Sequence, residues 1–133
     1  MKRKLILLLI ISSLFLFIGC SDKPSDKEIE EQLIENFEAS GISELIEVEA
    51  FYKMNGYKEN ENTYVATVRY MMRFKYGLDE LQTVNQGLFD TFFIMALRMK
   101  FGNFKKDDRG VVERDISLKK TEKGWRIIET LSI

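Results

Sequence analysis

Apolar residues along this chain keep three different spacings, and each spacing predicts its own kind of element. The first is continuous: Leu5 to Ile18 reads LILLLIISSLFLFI, fourteen residues interrupted only by Ser12 and Ser13. As a helix that run spans about 21 Å, short of the roughly 30 Å hydrocarbon core of a bilayer. The second spacing is helical. Ile29, Leu33, Ile34 and Phe37 recur at intervals of four, one and three, one face of an amphipathic helix. Ser25-Asp26-Lys27-Glu28 ahead of them fits a capping box, so a helix is expected to begin at Asp26. Gly41 stands where its C-terminal stop belongs. A second helical stripe, Leu81, Val84, Leu88, Phe92, Met95 and Met99, runs through residues 78–101, with Gly87 placed to bend or divide it and Gly102 to end it.

The third spacing alternates. Ile46, Val48, Ala50, Tyr52 and Met54 form one side of a period-two run. Tyr64, Ala66, Val68, Tyr70, Met72, Phe74 and Tyr76 form one side of another. Both predict strands with one apolar face. The polar stretch Lys58-Glu59-Asn60-Glu61-Asn62 joins them as a hairpin. If the two apolar faces share a side, paired residue numbers must sum to an even value. A turn centred on Asn60 sets that sum at 120, which places Val48 opposite Met72 and Tyr52 opposite Val68 on the buried face. On the other face it places Glu47 opposite Arg73 and Phe51 opposite Arg69. Val111 to Lys120 and Trp125 to Ser132 read as two further strands around the turn Thr121-Glu122-Lys123-Gly124, where glycine is available for a positive φ.

The expected order is therefore α-β-β-α-β-β, an α+β domain with helices packed on one face of an antiparallel four-stranded sheet. Lys120-Thr121-Glu122-Lys123-Gly124-Trp125-Arg126-Ile127 resembles the last hairpin of small bacterial lipoproteins with cystatin-like or nuclear-transport-factor-like folds. That resemblance implies a concave sheet with a helix in or across it, a frame that mostly binds rather than catalyses.

Basic residues open the chain (MKRK), followed by the short apolar run and a small residue, the layout of a secretory signal rather than a transmembrane anchor. The end of the run, Phe17-Ile18-Gly19-Cys20, resembles the lipobox of bacterial lipoproteins, with Phe17 where leucine is usual. The resemblance implies cleavage before Cys20 and acylation of its thiol and new amino terminus. Other roles for Cys20 lack their neighbours: there is no second cysteine for a disulfide, and no histidine to act as a base or complete a metal site. The chain then divides into a signal peptide (1–19), an acylated cysteine with its tether (20–27) and one α+β domain (28–133). The polar segment Ser21 to Lys27 reaches at most about 25 Å, which holds the domain close to the membrane. Ser21, rather than aspartate, follows the cysteine. That implies an outer-membrane lipoprotein facing the periplasm in a Gram-negative cell, or the outer side of the cytoplasmic membrane in a Gram-positive one.

Cutting 19 residues from 133 leaves 114, with 17 basic and 21 acidic side chains and a net charge of −4. This balance argues against a nucleic-acid partner, because phosphate binding needs a basic face. It also leaves membrane attachment to the acyl chains. No cofactor is implied, and the core must form by packing alone, from the eight of ten phenylalanines that remain, five tyrosines and one tryptophan.

Four groups of residues are candidates for chemistry or binding. Phe92, Phe93, Met95 and Met99 lie in an apolar block suited to an apolar small ligand or an envelope protein, or else to the core. Tyr52, Tyr64, Tyr70 and Tyr76 form an aromatic row that fits either a pocket wall or a packed sheet face. In Lys105-Lys106-Asp107-Asp108-Arg109-Gly110, the paired carboxylates fall short of the ligand spacing of a calcium loop, and a solvated loop is expected. Asp79 or Glu80 with Asp115 or Glu129 is the remaining choice for an acid/base pair, which requires one buried acid. The preferred reading is a lipid-anchored binding module, and the alternative is a small hydrolase or isomerase using a buried carboxylate on a nuclear-transport-factor-like fold.

Overall fold

A computed structural model describes residues 23–84 and 91–128. It shows an α+β fold built on a four-stranded antiparallel sheet in the order β1-β2-β3-β4. The strands are β1 (Ile46–Asn60), β2 (Thr63–Phe74), β3 (Arg109–Thr121) and β4 (Gly124–Ile127). Helix α1 (Asp26–Ser40) precedes them, followed by a single 3-10 turn over Ile42–Glu44. Helices α2 (Leu78–Val84) and α3 (Thr91–Phe101) stand between β2 and β3. Gly87 and the sequence around it lie outside the described residues, as do Cys20 and residues 129–133, which include Glu129 and the end of the expected last strand.

The capping box forms as its residue types require. The Ser25 hydroxyl accepts from the Glu28 amide at 3.1 Å, and the Glu28 carboxylate accepts from the Ser25 amide at 2.8 Å. Gly41 ends the helix at φ +79°, a conformation costly for any side chain with a β-carbon. Between those ends Ile29, Leu33 and Phe37 are buried. They join one cluster with Tyr64, Ala66, Val68, Tyr70, Met72 and Phe74 of β2, Ile116 and Leu118 of β3, and Leu97 of α3. The alternation expected of β2 is thus present at full length, and Tyr76, beyond the strand end, is exposed.

Strand β1 departs from its expected register. Glu47 pairs with Arg73 and Val48 with Met72, as the sum of 120 requires. Irregularities then fall between Val48 and Ala50, between Lys53 and Asn55, and between Lys58 and Asn60. Each inserts one extra β1 residue, so the sum rises through 121 and 122 to 123 at the tip, where Asn60 meets Thr63. Tyr52 consequently lies opposite Arg69 and Phe51 opposite Tyr70, not opposite Val68 and Arg69. The first bulge reverses the parity from Ala50 to Lys53, and the second restores it. Phe51 packs against the core, while Tyr52 and Met54 are exposed. β1 is an edge strand of fifteen residues, and bulges along such an edge oppose pairing with another chain.

The reversed parity turns Lys53 toward α1. Its side chain is only 18 % exposed, and its ammonium lies 2.9 Å from the Asp26 carboxylate in the first helical turn. It also sits 5.8 Å from the centroid of the Tyr64 ring. The hydrogen bond to Asp26 raises the Lys53 pKa, partly opposed by desolvation. The final hairpin pairs Thr121 with Gly124, which takes φ +96°.

Candidate functional site

The apolar block of α3 is divided between two surroundings. On a helix, successive residues are about 100° apart, so Phe92, Met95 and Met99 fall on one side and Phe93, Leu97 and Phe101 on the opposite one. Leu97 is buried, and Phe93, Ile94 and Phe101 pack against the core. Phe101 lies edge-on to Phe74, with ring centroids 5.3 Å apart. Phe92, Met95 and Met99 are 79, 55 and 86 % exposed. Of the four residues expected to act together, Phe93 therefore belongs to the core and the other three make a solvent-facing stripe. The continuous stripe expected from Leu81 to Met99 is not formed, since Leu81 is buried and these three are not. The charged side chains of α3 are Arg98 and Lys100 in its last turn, both exposed, one on each side of the stripe.

The tyrosine row does not come together as a site. Tyr64 and Tyr70 are buried on the face that packs on α1, whereas Tyr52 is 61 % exposed on the other. Tyr70 packs edge-on to Phe37, with centroids 5.9 Å apart. Its hydroxyl is buried without a partner in hydrogen-bond geometry. Burial pushes the Tyr70 pKa up, and the nearby Arg114 guanidinium partly offsets that rise.

The second sheet face sets ion pairs among exposed apolar side chains such as Tyr52 and Val111. Arg69 of β2 is paired with Glu113 of β3 at 2.6 Å, and the Thr67 hydroxyl donates to Asp115 at 2.6 Å. At the end of this face Arg73 and Arg109 stand directly opposite each other. Their like charges are answered by carboxylates. Arg73 binds Glu47, approaches Glu49 at 3.3 Å and binds Asp107 at 2.6 Å, while Arg109 binds Glu49 at 2.7 Å. These charge-assisted hydrogen bonds hold both guanidinium pKa values up. Asp107 and Asp108 of the charged loop are thus occupied within the fold, Asp108 by accepting from the Lys105 amide at 2.8 Å. Among the described residues no group of three potential ligands could hold a metal ion.

Of the carboxylates considered for acid/base work, Asp79, Glu80 and Asp115 are exposed. A cleft of about 240 Å³ lies between α1 and the start of β1, lined by Ile34, Phe37, Ile46 and Val48 with Glu38, Glu47 and Lys75. It is smaller than the roughly 300–1,000 Å³ usual for a ligand site. Its lysine donates to the Ser43 carbonyl at 2.6 Å. Sequence periodicity located the α3 block but not its division. The signal that marks the outer side is Arg98 and Lys100 flanking Met99 in a helix with no acidic residue. No protein-family model matches the chain, and no curated protein or solved structure has significant similarity to it.

Proposed function

We propose that this chain is a bacterial lipoprotein, anchored through Cys20, whose small α+β domain is a binding module at the cell envelope. On this reading residues 1–19 are a signal peptide, and the helices form one layer over a single sheet face, as in the cystatin-like or nuclear-transport-factor-like lipoproteins. The observation that carries the binding role is the exposed Phe92, Met95 and Met99 stripe. Three large apolar side chains on one helix face leave a surface that a partner can cover, and large exposed apolar patches mark interaction sites. An enzyme reading needs a carboxylate with a raised pKa, and Asp79, Glu80 and Asp115 offer exposed ones. Among the described residues no helix is long and apolar enough to cross a membrane. On this reading attachment rests on the acyl chains.

Growth with an alkyne-tagged fatty acid tests the anchor. The intact chain should take up the tag and sediment with membranes, and Cys20→Ser should do neither. Tag retained by the Cys20→Ser chain would refute the assignment.

A further inference from the structure

We infer that α3 is the face on which the domain lies against the lipid surface, with Phe92, Met95 and Met99 at the acyl boundary and cations at the headgroup phosphates. The inference rests on the lipid-anchored reading above and names what its exposed stripe meets.

Three observations converge on lipid. The first is the outline of the helix. The side chain at its inner centre, Leu97, is buried, and the outward stripe lies opposite it. Arg98 and Lys100 stand to either side, where long stems can run along an apolar surface while the charges stay in water. An apolar ridge bordered by cations is the pattern of a helix lying in a membrane interface.

The second is charge segregation. The whole chain has 20 basic and 21 acidic residues. Yet residues 91–106, which are α3 and the loop start after it, hold Arg98, Lys100, Lys105 and Lys106 and no carboxylate. All four cations are exposed. Anionic headgroups complement such a segment. A symmetric contact with a second copy would instead set these cations against their own equivalents, with no acid in the segment to answer them.

The third is reach. Five residues separate Cys20 from Asp26, where α1 begins, and Pro24 among them is already buried against the domain. Five extended residues span about 17 Å at most. A lipid on Cys20 therefore keeps the domain beside headgroups at high effective concentration, so weak contacts from an exposed face suffice to orient it. The membrane is the one partner that the anchor itself supplies.

The lone cysteine makes the test direct, because acylation of Cys20 leaves no thiol in the native chain. Full-length acylated protein carrying Met99→Cys is labelled there with an environment-sensitive fluorophore. It is then reconstituted in phosphatidylethanolamine/phosphatidylglycerol vesicles whose acyl chains are brominated. A Tyr52→Cys chain, labelled on the opposite sheet face, is the comparison. The expected result is blue-shifted emission and bromolipid quenching at position 99, with neither at position 52. Unquenched emission at both positions overturns the inference and points to a protein partner. Equal quenching at both overturns it too, since the domain would have no preferred face. If Cys20 carries no lipid, its own thiol takes up label, which identifies failure of the anchor separately. The Met99→Cys chain with Cys20→Ser, presented to the same vesicles, then reads α3 alone: quenching at 99 sustains the inference, and its loss overturns it.

Discussion

The Tyr64 side chain crosses directly over Gly56, so closely that a β-carbon at position 56 would lie 2.1 Å from the Tyr64 hydroxyl oxygen and 2.6 Å from the ring carbon bearing it. The ring has little room to yield. It is buried and packs edge-on against Trp125, with centroids 6.2 Å apart. Gly56→Ala should therefore lower stability by about 1–3 kcal/mol, the usual cost of forcing extra volume into a packed site. Thermal unfolding measures it. The same substitution in a Tyr64→Phe background should lose less, because the nearest clashing atom is gone. Equal losses in the two backgrounds would show that the clash is not the cause.

Tyr70 gives a pH-dependent prediction. Its buried hydroxyl lies beside the Arg114 guanidinium without a hydrogen bond of normal geometry, so Tyr70→Phe should change stability by no more than about 1 kcal/mol, with the Phe37 contact retained. Its pKa is raised above the ordinary 10.0, chiefly by burial. The folded state thus holds the phenolic proton to higher pH than the unfolded chain does. The associated stability is fully present below pH 10.0 and is lost as pH rises through the folded pKa. Lys53, raised above 10.5 by its hydrogen bond to Asp26, loses its contribution in the same direction at higher pH. Tyr70→Phe should flatten the first part of the alkaline decline, and Asp26→Asn the second. Unfolding midpoints measured from pH 8 to 12 separate the two.

How far the chain is legible depends on what each residue faces. β2 could be read in full because it is a central strand with one packed face, and every second residue from Tyr64 to Phe74 obeys that single constraint. α1 was readable from Ser25, Glu28 and Gly41, since caps act locally. β1 was readable only as far as Val48. Its bulges answer the strain and exposure of a sheet edge, and no residue type marks Glu49 as the extra one. The candidate site was half visible. Periodicity located Phe92 to Met99 but supplied no reason to set Met99 outside and Leu97 inside, because both are apolar. Net charge concealed the local excess of cations in residues 91–106 for a similar reason: a total says nothing about segregation.

The two sides of α3 should answer to different measurements. Leu97→Ala removes a buried side chain from the core and should cost about 2–4 kcal/mol. Met99→Ala removes an exposed one and should change stability by less than about 0.5 kcal/mol. Denaturant unfolding of the two variants checks the split. A large loss at Met99 would mean that this residue is packed, which would also remove the stripe from consideration as a surface.

Glu49 carries two separable roles, as the extra residue of the first bulge and as the carboxylate shared by Arg73 and Arg109. Replacing it with alanine removes only the second. The two arginines would then face each other with less compensation, and the stability lost should shrink as salt screens the repulsion. Deleting Glu49 removes both. The ladder would then run without its extra residue: Ala50 would follow Val48 and still meet Met71, Phe51 would still meet Tyr70, and Lys53 would still meet Val68. Phe51 would keep its place against the core, and Lys53 would keep Asp26 and the Tyr64 ring. Deletion should therefore lower the denaturation midpoint about as much as Glu49→Ala, with the same salt dependence, and leave Tyr52 open to a surface label such as iodination. A deletion far worse than Glu49→Ala, with Tyr52 protected from the label, would show that the strand answers the loss by slipping its register and not by closing the bulge.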